Sequence, residues 1–142
     1  MKNRPIIVHS LENARAAVAA AAELGLPVTL RSAPGAAAYL GAQVFRDLIA
    51  EAAAAHPATE VTAVFDCGKD PGLALGALRH GLKVIRLDAP PDTLGKVADI
   101  ARQTGARLDQ TDPADPPGLD LLEADDPPDA ENQVRTWLSE TD

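Results

Sequence analysis

The residues able to do chemistry fall at four places, each just after a short apolar run. His9 and Ser10 follow Ile6 to Val8, and Arg31-Ser32-Ala33-Pro34-Gly35 continues from Val28 to Leu30. Asp66-Cys67-Gly68-Lys69-Asp70 follows Val61 to Phe65, and Asp88 follows Val84 to Leu87. A carboxylate fixed at a strand end and partly desolvated suits a general base, a metal ligand or a phosphoacceptor, so Asp66 is the first acid-base candidate. The same position suits an Asp that accepts backbone N–H groups from neighbouring loops. Asp88 invites the same comparison, with a turn-forming role favoured by the Ala89-Pro90-Pro91 that follows. Cys67 is a nucleophile if Lys69 or His9 lowers its pKa, and a small buried thiol otherwise. Arg31, Ser32 and Gly35 offer a guanidinium, a hydroxyl and backbone donors to a phosphate or carboxylate; alternatively, Ser32 caps a helix and Arg31 faces solvent or an acid. The segment lacks the lysine and spacing of a phosphate-binding P-loop and is no dinucleotide fingerprint. The expected catalytic residues are therefore Asp66, Cys67 and His9, and the expected ligand contacts are Ser10, Arg31, Ser32, Gly35, Lys69 and Asp88.

Something must hold these groups together. Leu24-Gly25-Leu26-Pro27-Val28, His80-Gly81-Leu82-Lys83-Val84 and Thr104-Gly105-Ala106-Arg107-Leu108 share one pattern, a Gly after a helical stretch and an apolar residue three positions later. Gly takes the left-handed conformation that ends a helix, so each reads as helix, cap and return strand. Ser10, Asp70-Pro71 and Pro90-Pro91-Asp92 mark helix starts. The strands are apolar on both faces, while the helices are amphipathic: Leu11, Ala14, Val18 and Ala21 line one stripe, and Val44, Leu48 and Ala52 another. The order is βαβαβαβαβ, a parallel sheet of four to five strands. A doubly wound three-layer sheet is the expected form, and half of a βα barrel the alternative. Either form gathers the polar residues at the strand C-termini. His56 and His80 lie at helix C-termini, at the opposite rim from His9, where an imidazolium suits the helix dipole, so no multi-histidine metal site is expected.

The chain has 142 residues, with 28 Ala and only four aromatic side chains, so its helices are thin and pack closely. The net charge of -8 is uneven: residues 1 to 108 carry 12 basic and 10 acidic groups, residues 109 to 142 carry 1 and 11. Without a basic footprint or aromatic stacking surfaces, no nucleic-acid partner is expected. A lone Cys points to a reducing compartment, and the run Ile6-Ile7-Val8 is too short for a signal peptide or membrane span, so the expected location is cytoplasmic. Residues 1–109 read as one α/β domain, 110–128 as an acidic, Pro-rich linker or strap, and 129–142 as an amphipathic helix carrying Ala130, Val134, Trp137 and Leu138 on one stripe. That stripe needs a surface, on its own domain or on a second subunit.

Ala77 to Ile85 resembles the helix-Gly-strand joints of phosphate-binding βα barrels, and Ala77 to Ile100 is similar to the later part of response-regulator receiver domains. Both restate the αβ joint. His9-Ser10 stands where a receiver carries paired acids, so neither likeness names a family. Two functions are open: a small anionic metabolite bound at the strand ends, with Asp66 as acid-base group, or a non-catalytic interaction module that uses the acidic tail and Trp137 helix, including self-association. The sequence names no cofactor.

Overall fold

The glycine joints are built as expected. Gly25, Gly81 and Gly105 have φ of 68°, 86° and 75°. At each joint the next residue donates its N–H five positions back: Leu26 to Ala21 (3.0 Å), Leu82 to Ala77 (3.2 Å) and Ala106 to Ala101 (2.8 Å). This closes the last helical turn and throws the chain back as a strand. The joints link α1 (Leu11–Leu24) to β2 (Val28–Arg31), α3 (Pro71–Arg79) to β4 (Val84–Arg86) and α4 (Pro91–Gln103) to β5 (Arg107–Leu108). Of the three helix starts expected from the sequence, two follow the capping logic. Ser10 accepts from Asn13 N while Asn13 Oδ1 accepts from His9 N, a reciprocal cap on α1, and Asp70 accepts from Gly72 N and Leu73 N at the start of α3. Helix α4 opens on Pro90-Pro91 without a side-chain cap.

The computed structural model describes residues 4–110 and 118–140. Asp112-Pro113 and Asp115-Pro116-Pro117 of the expected strap lie outside the described residues. Strands β1 (Ile6–Ile7) and β3 (Val61–Asp66), helix α2 (Ala42–Ala54) and a 3-10 turn at Ala36–Ala38 complete the first part of the chain. Beyond it come β6 (Leu119–Asp120), a 3-10 turn at Leu121–Glu123 and α5 (Pro127–Ser139). Strand β6 falls inside the stretch read from sequence as linker.

The sheet is parallel and built from βα units, as expected, with six strands rather than four or five in the order β5-β4-β3-β2-β1-β6. From β1 to β5 every crossover advances one strand in the same direction. A doubly wound sheet needs a reversal, with the chain returning to the centre to lay helices on the second face. None occurs among β1 to β5, and only the short β6 is added on the other side of β1, so the doubly wound expectation is corrected to the alternative, the winding of a βα barrel.

The described residues fall into two compact units, one within Met1–Arg31, Leu48–Thr62 and Thr111–Asp142, the other within Ser32–Asp47 and Ala63–Gln110. In the first, Ile6, Leu30, Val18 and Val134 are fully buried and α5 packs on α1, so the apolar stripe of α5 finds its surface within the chain. In the second, Phe45 and Phe65 stack with centroids 5.2 Å apart, beside a core that includes Ile85, Val97 and Ala101. Among the described residues no helix is long and apolar enough to cross a membrane.

Candidate functional site

The second unit holds the densest polar construction. Asp66 is the last residue of β3, and its register partner on β4 is Arg86. Asp66 Oδ1 accepts from Gly35 N and Gly68 N, both at 2.9 Å, and its backbone N–H donates to Ser32 Oγ at 2.9 Å. Asp66 Oδ2 lies 3.5 Å from Arg86 Nε, and Arg86 Nη1 reaches Asp109 Oδ2 at 3.0 Å. Strand pairing thus sets acid, base and acid at three successive strand ends, all largely shielded from solvent. Both glycines are required by conformation, with φ of 69° at Gly35 and 60° at Gly68. Space adds no further requirement: a Cβ on Gly68 would stand at contact distance, 3.4 Å from Gly35 Cα, and the space around Gly35 is open.

This geometry settles where the expected groups lie. Ser32 is buried, and its hydroxyl serves the Asp66 amide rather than a helix. The Gly35 donor expected for an external anion is turned on Asp66, which acts as an internal anion. A general base needs an accessible lone pair within reach of its proton; two amides fill Asp66 Oδ1, and Oδ2 is turned toward the Arg86 guanidinium. Cys67 is buried, and its thiol is pushed from the ordinary 9.0 up to about 12, first by burial and then by the charges of Asp66 and Asp70. At neutral pH it is a protonated core side chain with Sγ 3.8 Å from Phe65 O, not the activated thiolate a nucleophile requires. Lys69 is exposed, and the neighbouring Asp70 carboxylate is turned onto the start of α3. Asp88 is exposed, and its N–H donates to Gly68 O at 2.8 Å, a backbone bond that ties the end of β4 to the loop after β3.

In the first unit, His9 Nε2 lies 2.6 Å from Asp120 Oδ1, which also accepts from Leu122 N. Ser10 is occupied as the cap of α1. Arg31, expected as an anion contact or else facing solvent or an acid, is a buried side chain, 8% exposed, and its carbonyl accepts from Val8 N. His80 Nδ1 lies 2.8 Å from Gly76 O at the end of α3, as its helix-terminal position suggests. Among the described residues no group of three or more His, Cys, Asp or Glu is placed to hold a metal ion.

Arg86, Asp109 and Asp120 were missed by the reading of residue types. The signal for Arg86 was present: a charged residue closing the buried run Val84-Ile85. Its partner could not be named without the strand register. Asp120 was hidden among the acids of the tail.

Parallel βα units that advance in one direction, with polar side chains collected at strand C-termini, define a chain of the βα-barrel class. Residues 5–108 match the model of the class-II fructose-bisphosphate aldolase family, and the chain belongs to that family. It is 33% identical over 89 residues to a fructose-bisphosphate aldolase of Xanthobacter flavus, covering 63% of this chain and 25% of that protein. A plasmid-borne fructose-bisphosphate aldolase of Cupriavidus necator is 31% identical over 81 residues, covering 57% of this chain and 24% of its own length. A crystal structure of a Coccidioides immitis chain assigned to the fructose-1,6-bisphosphate aldolases superposes with a TM-score of 0.62 at 21% identity, covering 75% of this chain and 40% of that one. The chain therefore spans about a quarter of the length of the curated relatives it matches.

Proposed function

We propose that the protein binds a phosphorylated sugar at the strand ends of its second unit and does not itself cleave it. Support for the ligand class comes from the family and from the names of the relatives. The observation that carries the non-cleaving part is the state of Asp66, whose carboxylate is committed to Gly35 N, Gly68 N and Arg86. With Cys67 held as a thiol, neither expected catalytic group of this unit is available for acid-base or nucleophilic work. Arg86 is shared between two carboxylates, which leaves the exposed Lys69 as the cation for a phosphate at this end. A single cysteine in the sequence fits a reducing compartment and hence a cytoplasmic protein.

Thermal unfolding in fructose 1,6-bisphosphate, against inorganic phosphate and an unphosphorylated sugar, tests the reading. Ligand at about 100 times its Kd adds about 2.7 kcal/mol to stability. The expected result is a concentration-dependent rise in Tm with the sugar phosphate, reduced in Lys69→Ala, and no triose phosphate released. An unchanged Tm overturns the binding claim, and release of triose phosphate overturns the claim that the ligand is kept intact.

A further inference from the structure

Residues 118–140 lie outside the stretch that matches the aldolase family, yet they are built into the core of the first unit. Strand β6 pairs in parallel with β1, Ile6 against Leu119 and Ile7 against Asp120, and Leu119 N donates to Pro5 O at 3.0 Å. The approach is close: a Cβ on Gly118 would stand 3.2 Å from Pro5 O and 3.3 Å from the Ile7 side chain. Leu121, Ala130 and Val134 are buried.

Helix α1 is made for two covers. Ala14, Val18 and Ala21 form one buried stripe, while Ala16 and Ala20, four positions apart and well round the helix from it, form a second. One sheet face cannot bury both stripes, and α5 packs on α1. The edges of this contact are pinned by polar pairs. Arg135 Nε donates to Glu23 Oε2 at 2.9 Å, Trp137 Nε1 donates to Arg4 O at 3.2 Å, and the Arg4 guanidinium lies 4.4 Å from the Trp137 ring centroid. Arg4 Nη2 also meets Glu140 Oε2 at 2.8 Å.

A parallel strand beside β1, followed by a helix on α1, is the relation that the last βα unit of a closed barrel bears to the first. An unpaired β1 would present free N–H and C=O groups to other chains. We propose that β6 and α5 are a surrogate closing unit, and that the β1 edge and α1 flank form a receptor site for the sequence of residues 118–140, which can also be supplied as a separate strand-helix segment when the chain's own copy is displaced.

The test uses the full chain and a labelled peptide of residues 118–140. Val134→Asp puts a carboxylate at a fully buried position of α5 and weakens the resident segment. The wild-type peptide should bind this variant saturably, about tenfold or more tighter than it binds the wild-type chain, where the tethered segment competes at high effective concentration. Binding should restore slow exchange of the Val8 and α1 amides, and a peptide carrying Val134→Asp should not bind. Trp137→Ala, at a half-buried position, should take up the peptide to an intermediate degree and serves if the first variant is unfolded. Failure of both variants to take up the peptide, or slow α1 exchange that is unaffected by either substitution, overturns the proposal.

Discussion

Asp66 joins three strand-end segments through one side chain, so its replacement separates a structural role from a chemical one. Asp66→Ala leaves Gly35 N, Gly68 N and Arg86 facing a void and should cost about 3 kcal/mol in urea unfolding, whereas Asp66→Asn keeps an acceptor at Oδ1 and should cost about 1 to 2 kcal/mol. Equal losses would mean that the amide contacts contribute nothing. Cys67 supplies a pH test. Its folded pKa stands above the unfolded value, so its contribution is complete below 9.0 and is lost as pH rises toward about 12, where the unfolded chain has released a proton that the folded chain retains. Wild-type stability should therefore fall above pH 9.0 more steeply than that of Cys67→Ser, by at most about 1.4 kcal/mol per pH unit. Parallel curves for the two proteins would show that the thiol is not held protonated. Asp66, Ser32 and Gly35 were legible from residue type and position after an apolar run. Their mutual contacts, and the parts played by Arg86 and Asp109, were not, because these depend on which strands are neighbours and in what register.

The elements that sequence foretold best are those closed by local chemistry. A Gly at φ 75° after α4 ends that helix whatever surrounds it, and the space around Gly105 is open to an added Cβ. Gly105→Ala should thus lose about 1 kcal/mol from backbone conformation alone, read by thermal unfolding, with Gly105→Asn losing less. A null effect would remove the left-handed cap as the cause of the joint. Strand β6 was illegible for the opposite reason: it is two residues long, lies in an acidic and Pro-rich stretch, and exists through its pairing with β1. Helix α5 was visible from its stripe, but only the tertiary packing shows that α1 carries the matching surface. Val134→Ala should cost about 1 to 3 kcal/mol, whereas Arg135→Ala, at an exposed ion pair, should cost well under 1.

For the whole molecule, the direction of strand advance decided more than any motif. Doubly wound sheets and barrel segments share units, joints and caps, so composition and periodicity fit both, and only the strand order separates them. That order, the family match over residues 5–108 and the short span relative to the curated aldolases place the ligand question ahead of the reaction question. The most direct measurement is a titration of the isotope-labelled protein with fructose 1,6-bisphosphate, following backbone amides and phosphorus signals in one sample. The account predicts saturating shifts concentrated at Gly68, Lys69 and Asp88 while the ligand's phosphorus spectrum stays that of the intact sugar. Shifts that never saturate, shifts that leave those amides untouched, or the appearance of cleaved phosphate esters would contradict it.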